Sequence, residues 1–379
     1  MRSLFVLLVL TVFATDDSLT QTLDSSEDCA ECHSSAYSEW RGSMHANSSR
    51  RNNSFFRAMY DWANRTGPAG LTESCLRCHE PASSLEPATV SDALASEGVT
   101  CDICHATRLT KGSQPWFEIV PGNIKFGPIK DAVAGVHESV YSAAHSESRF
   151  CLPCHGNLST PHGVEFCSTE QEFNKSPFAK MGVTCQDCHM PSMEGKTAPL
   201  GKLREQIHAH GFYGAYSSVM LKNCAKIDLK VVENLNGWDV QVVIQNRSVG
   251  HSLPTGSPMR MVYLVIEARD AQEKVVWKNI ADNPLEEDPR ALFMRLLENE
   301  AGQGPVPPWE AKRVRFDSRL GGDEVRRLQY QVPHTPINSV IATLYYRLAP
   351  VPLLNRLGLV DPKYTQPKVI ASNVQILKR

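Results

Sequence analysis

The sequence predicts an α+β fold in two parts: an N-terminal domain of short helices and loops over residues 24–224, and a C-terminal β-sandwich over residues 226–379. Three observations predict it. Before residue 225, hydrophobic periodicity is confined to short helical patches punctuated by Gly, Pro, Ser and His, too few regular elements to enclose a core of their own. Beyond it, runs of alternating apolar and polar residues recur with turn residues between them, the pattern of half-buried strands. Finally, ten of the twelve cysteines fall in one repeated motif, all of whose copies lie before residue 190.

The motif is Cys-x-x-Cys-His, and it occurs five times: Cys29/Cys32/His33, Cys75/Cys78/His79, Cys101/Cys104/His105, Cys151/Cys154/His155 and Cys185/Cys188/His189. Chance at this composition would supply about 0.01 matches. Two thiols at this spacing can bond to the two vinyl groups of a porphyrin, and the adjoining His then ligates the iron. Structural zinc needs no His after the second Cys, and five pairs do not divide into four-cysteine sites. A thioredoxin-like pair would occur once, beside a βαβ pattern. The expected cofactor is therefore haem c, five groups covalently bound, and the N-terminal domain is expected to be haem-packed. The third and fifth motifs are each preceded by Gly-Val-Thr, and a Cys-Leu-x-Cys-His motif comes before each of those. The layout reads as one motif followed by a duplicated pair.

Individual elements follow from local pattern. In "SFFRAMYDWANRT", Phe55, Met59 and Trp62 share a helix face, with Ser54 placed to cap it. A second helix starts at Thr72 and runs into Cys75. In the C-terminal part, "KIDLKVVENLNGWDVQVVIQN" reads as a hairpin turning at Asn236-Gly237. Further strands are expected in "MRMVYLVIEARDAQEKVVWKN", "RRLQYQVP", "SVIATLYYRLAP" and "KVIASNVQILK", with one helix-like insert, "DPRALFMRLLENE". Seven or so strands in about 150 residues suit a sandwich.

The net charge is −2 with 42% apolar residues, so nothing points to nucleic acid. Haem propionates would add acidity and favour basic partner surfaces, weakly because salt screens them. Residues 1–14, "MRSLFVLLVLTVFA", have one Arg, an apolar run and a small residue for cleavage: a signal peptide. The run is shorter than the ~20 residues a membrane-spanning helix needs, and no transmembrane anchor is expected elsewhere. The expected location is outside the cytoplasm, periplasmic or extracellular.

The string "CAECHSSAYSEWRGSMHA" resembles the multihaem cytochrome c family that includes the nitrifiers' tetrahaem cytochrome and the subunits of extracellular cytochrome filaments. "GVTCQDCHMP", "GPIKDAVAGVHESVYSAAHSESRFCLPCH", "HGFYG" and "GHSLPTG" resemble segments of the same family, the last in members with a C-terminal β domain. The resemblance implies bis-histidine haems in close stacked and T-shaped pairs, and electron transfer. This chain has five motifs rather than four, so a haem order cannot be carried across.

Five bis-histidine haems need ten histidines, and thirteen are present. The five motif histidines leave His45, His137, His145, His162, His208, His210, His251 and His334. By resemblance His45 serves a haem other than its own neighbour. Of His137 and His145, at least one is expected as a ligand, and both are carried in the ligand set. His210 suits His-x-Phe-x-Gly better than His208 does. His251 lies in a Gly- and Pro-shaped loop between strands, and the expectation is that it caps one iron and so bolts the two domains together. The expected distal set is His45, His137, His145, His210 and His251; His162 is left open and His334 is read as a surface residue. Cys167 and Cys224 remain, and their spacing neither requires nor forbids a disulfide.

Three functions compete. An exported electron carrier has every iron held by two protein ligands, with redox proteins, or further copies of itself in a filament, as partners. A reductase of nitrite, hydroxylamine or a sulfur oxyanion needs one open iron with anion-binding and proton-donating groups nearby. A binding module would use the sandwich for recognition, a reading fold alone hardly supports.

Overall fold

The computed structural model describes residues 22–85, 90–110 and 117–377; the signal-peptide reading at residues 1–14 lies outside them. The N-terminal part is a string of short helices: α1 (Ser26–Ala30), α2 (Ser34–Arg41), α3 (Ser54–Thr66), α4 (Leu71–His79), α5 (Asp92–Ala95), α6 (Cys101–His105), α7 (Leu152–His155), α8 (Thr169–Lys175), α9 (Pro177–Lys180), α10 (Cys185–His189) and α11 (Ser218–Asn223). Between them lie two-stranded ribbons: β1 (Thr107–Leu109) with β2 (Phe117–Ile119), β3 (Ile124–Gly127) with β4 (Glu138–Tyr141), β5 (Asn157–Ser159) with β6 (Glu165–Ser168), and β7 (Ser192–Gly195) with β8 (Arg204–His208). The largest apolar cluster confined to this part has only Leu23, Ala82, Leu94, Ile103 and Ala106 at its centre. The expected shortage of side-chain core is therefore observed.

The helix expected over 54–66 forms with those bounds, but its cap is Asn53, whose side chain accepts from the Phe56 amide, not Ser54. Its inward face is turned by one residue, burying Phe56, Trp62 and Ala63. No helix among the described residues is long and apolar enough to cross a membrane.

The C-terminal part is a two-sheet sandwich built from β9 (Ala225–Asn234), β10 (Gly237–Asn246), β11 (Met261–Arg269), β12 (Val275–Lys278), β13 (Leu292–Phe293), β14 (Arg295–Glu298), β15 (Arg313–Asp317), β16 (Val325–Pro333), β17 (Ser339–Arg347) and β18 (Lys368–Ile376). One sheet has the order β16-β10-β9; the other runs β12-β11-β17-β18, with β13 also on β11. Val240, Val242 and Ile244 from β10 face Leu264, Ile266 and Ala268 from β11 and Val340, Ala342 and Leu344 from β17, all 0% exposed and all two residues apart along their strands. Where edge strands β9 and β18 meet, the Gln375 amide donates to Val231 O (3.0 Å) and accepts from Val231 N (2.8 Å), so a side chain closes an edge that would otherwise stay unpaired.

Two sequence expectations shift here. The β9–β10 hairpin pairs Asn234 with Gly237, so its two-residue turn is Leu235-Asn236, one residue earlier than read. The helix-like insert at 288–300 forms two strands, β13 and β14, after a single helical turn at Pro289–Ala291. Its Leu292, Phe293, Leu296 and Leu297 are 0% exposed. A strand buried on both sides loses the alternation that identifies strands, so its apolar run mimics a helix face.

The two parts are joined by packing and by charge. Trp309 meets Trp62 of α3 edge-on at 5.5 Å, and its indole N–H donates to Thr66 Oγ1 (3.1 Å). Arg319 pairs with Glu172 of α8 (2.7 Å), and Arg295 donates to Ser168 Oγ (2.9 Å). Leu221 and Cys224, at the end of α11, pack into the sandwich core. Cys167 and Cys224 are both free and buried, their thiols engaged by Gly156 O (3.3 Å) and Leu221 O (2.9 Å) respectively.

Candidate metal centres

Each motif folds as one helical turn. His33 N donates to Cys29 O (2.8 Å) and His155 N to Cys151 O (3.0 Å), while α4, α6, α7 and α10 all end on the motif His. Residues i, i+3 and i+4 of a helix share a face, so two thiols and an imidazole point the same way. The Gly-Val-Thr repeat now has a physical reason. Thr100 and Thr184 are the N-caps of α6 and α10, where Thr100 accepts from Ile103 N and Thr184 forms a capping box with Asp187. Gly98 and Gly182 take φ of +98° and +80°, conformations that disfavour any side chain, and a Cβ at Gly98 would meet His45 O at 2.5 Å. Buried Asp102, inside the third motif, is held by Lys125 (2.8 Å) and by Asp24 N (2.7 Å).

Four of the five motif imidazoles are oriented by backbone carbonyls. His33 Nδ1 meets Thr197 O (2.7 Å), His79 Nδ1 meets Ser48 O (3.2 Å), His105 Nδ1 meets Phe126 O (2.7 Å), and His189 Nδ1 meets Tyr213 O. A carbonyl only accepts, so Nδ1 carries the proton in these rings and Nε2 keeps its lone pair for a metal.

Four motif rings stand opposite a second imidazole from a distant part of the chain. The ring centres are 6.3 Å apart for His33 and His137, 6.1 Å for His155 and His45, 6.3 Å for His105 and His210, and 6.3 Å for His189 and His251. Two imidazoles on one metal, each with its nitrogen about 2.0 Å from the ion and its ring centre about 1.1 Å further back, would sit about 6.2 Å apart. The pairs therefore fit an iron between them. Among the described residues no group of three His, Cys, Asp or Glu converges as a zinc site would need.

The other histidines are placed differently. His145 lies beside His105 rather than across from a motif ring (5.6 Å, 17° between planes). Its Nε2 donates to Cys104 O (3.0 Å), which takes the nitrogen a facing ligand would use, and its Nδ1 is buried without a partner. His208 Nδ1 is bound to Met190 O (2.7 Å). His162 is exposed beside Lys312, and His334 is exposed. His79 has Phe56 stacked on its ring at 3.8 Å, but among the described residues no imidazole faces it at the distance of the other four pairs.

Burial holds several of the facing rings in the neutral form near pH 7. Burial, with His155 nearby, pushes His45 down to about 3. Burial likewise lowers His155, His210 and His251 to about 4. Neutral imidazole is the metal-binding form.

The His251 loop is clamped from two sides. Asn246 Nδ2 reaches the carbonyls of His251 (3.0 Å), Leu320 (3.1 Å) and Gly321 (2.9 Å) on the sandwich side. From α8, the Glu172 carboxylate accepts from Ser252 N (3.1 Å) and Thr255 Oγ1 (2.7 Å). Phe212 is wedged against His45 at 4.1 Å and edge-on to His210 at 6.1 Å, with φ of +44°, a conformation uncommon for a residue with a side chain. Glu172, Phe212 and the orienting carbonyls were not singled out from sequence. A carbonyl carries no sequence signal; Phe212 lies in the quoted "HGFYG" without itself marking a role.

Motifs far apart in sequence are neighbours in space. Thiol contacts join Cys29 to Cys101, Cys78 to Cys154, and Cys151 to Cys185. The fourth motif thus adjoins the second and fifth, while the first adjoins the third. Cys104 lies close enough to Cys151 and Cys154 to act on their charge, linking the two groups.

Residues 28–106 match the family model described as cytochrome c554 and c-prime. The chain is similar to the crystal structure of a penta-heme cytochrome c552 from Thermochromatium tepidum, with a TM-score of 0.79 and 27% identity over 93% of this chain and 99% of that one. No curated protein sequence matches it.

Proposed function

We propose, from the premise that the chain is a multihaem cytochrome c with a C-terminal β domain, that it is an exported pentahaem electron carrier. Five motifs would each hold one haem, through Cys29 and Cys32, Cys75 and Cys78, Cys101 and Cys104, Cys151 and Cys154, and Cys185 and Cys188. The observation that carries the reading is the set of four facing imidazole pairs at 6.1–6.3 Å. In it His137, His210, His45 and His251 are the distal ligands opposite His33, His105, His155 and His189. When bound, the haems supply iron that alternates between ferric and ferrous states. The chain's residues fix ring orientation, bury imidazoles such as His45 and His251 so that they stay neutral, and set which motifs adjoin. The thiol contacts support an order running from the first motif through the third to the fourth, which branches to the second and fifth. The comparison structure's five haems agree with the count.

His145 is left out of this ligand set, because its Nε2 is taken by Cys104 O. Among the described residues the second motif then has His79 and no facing imidazole, and that observation favours a second reading: one open iron, able to bind a small anion, in a chain otherwise built for transfer. Mass analysis of the exported protein should show five haems. Electron paramagnetic resonance should show four low-spin centres and one high-spin centre for the open-iron reading, or five low-spin centres for a pure carrier. A colourless protein from a haem-attaching host ends both.

A further inference from the structure

Arg260 lies half-buried where the sandwich meets the motif-bearing part, and its charge has no acidic counterpart among the described residues. The other interior arginines at this boundary are paired: Arg319 with Glu172 (2.7 Å) and Asp317 (2.8 Å), and Arg295 with Asp317 (2.9 Å). No Asp or Glu among the described residues comes within ion-pair distance of Arg260. Its one side-chain hydrogen bond is from Nη1 to Thr255 O (3.1 Å). Its Nε is buried with no partner, so the Nε/Nη2 edge, the pair of parallel donors that fits a carboxylate, is unused. Arg347, whose Nε is also unpartnered, lies over the Tyr263 ring at 5.5 Å; no ring underlies Arg260 among the described residues.

A second buried group beside it is also unsatisfied. Tyr346 is 4% exposed, and its hydroxyl has no partner. The Arg260 charge acts on that hydroxyl, on Tyr216 and on the His155 ring, where it is the largest charge effect. Burying a guanidinium N–H without an acceptor is unfavourable, and an unmade buried hydroxyl bond adds to it. Two donors of this kind near a motif histidine suit an anionic acceptor, and none is present among the described residues.

We infer that the free edge of Arg260, with the Tyr346 hydroxyl, seats a carboxylate: a propionate of the haem attached at Cys151 and Cys154. Such a group brings a carboxylate on a tether to the neighbourhood of its own proximal histidine, and no Asp or Glu among the described residues supplies one. The cation raises that haem's potential, because a positive charge opposes the extra positive charge of ferric iron. The inference rests on the haem reading of the motifs.

The test is potentiometric titration of the holoprotein, following Soret absorbance and spin state. In Arg260→Gln one midpoint potential falls, the other four stay, and no haem changes spin state. Arg260→Lys lowers the same potential less, since charge remains but the two-pronged contact is lost, and Tyr346→Phe also lowers it less. The affected haem is the one that turns high-spin in His45→Ala. Unchanged potentials in Arg260→Gln with all haems present overturn the inference. If that variant does not fold, an unchanged potential in Tyr346→Phe does so. Added sulfate or phosphate at constant ionic strength that shifts this potential in the wild type, but not in Arg260→Gln, would mean that the seat holds a free anion, which also overturns it. Failure of the haem reading itself would show as missing Soret absorbance.

Discussion

Replacing Glu172 with Ala removes one carboxylate that ties α8 to the loop carrying His251. The carboxylate accepts from Ser252 N, from Thr255 Oγ1, from Ser168 Oγ (2.7 Å) and from Arg319 (2.7 Å), with the Glu172 and Arg319 side chains 11% and 7% exposed. Breaking a pair this buried costs about 3–5 kcal/mol when the surviving charge is stranded. Arg319 is not stranded, because Asp317 still binds its Nε (2.8 Å) and Nη2 (2.9 Å). The lower end, about 3 kcal/mol, is therefore expected, roughly a 150-fold rise in the opening constant of the loop. Amide hydrogen exchange over residues 248–256 measures it, together with the fraction of haem that turns high-spin. The effect has a pH signature. Burial works to raise the Glu172 carboxyl, but Arg319 and the bonds from Ser168, Thr255 and Ser252 outweigh it and hold it below the usual range. Its stabilisation is thus complete above the ordinary glutamate value, about 4.3, and is lost as pH falls through the lowered folded value. Wild type and variant should converge in acid. Loop exchange that rises less than threefold in Glu172→Ala at neutral pH would refute the clamp.

His251→Ala should turn one haem high-spin and speed proteolytic release of the sandwich, with added imidazole restoring the low-spin signal but not the protease resistance; five unchanged low-spin centres would count against ligation. His45→Ala should convert a different single haem, and the double variant two, since the facing partners are His155 and His189 respectively. Trp309→Ala should destabilise by about 3–5 kcal/mol, and Trp309→Phe by about 1 kcal/mol through loss of the bond to Thr66. Thermal melts of both, read by circular dichroism, check this, with the haem absorbance at 25 °C expected to stay unchanged.

What the sequence determined by itself was local chemistry and local geometry. A thiol pair and an imidazole within five residues need only one helical turn to converge, so the five motifs were legible without a fold. The Gly-Val-Thr repeat was legible as a pattern, though its use as a left-handed turn and a helix cap needed φ values. Strands of the sandwich announced themselves by alternation wherever one face met solvent. Leu292–Leu297 did not, because burial on both faces erases it.

Only the tertiary structure decided which distant groups meet. His45 faces His155, and His251 crosses from the sandwich to His189, pairings set by loop paths rather than by spacing. His145 and His137 are equal in sequence terms. One is turned aside because the carbonyl of Cys104 occupies its Nε2, and the other is not. The duplicated pairs in sequence are likewise not the spatial neighbours throughout: the second motif adjoins the fourth, and the third adjoins the first. A contact between residues a hundred positions apart depends on the summed geometry of everything between them, and no local signal in a chain carries that sum.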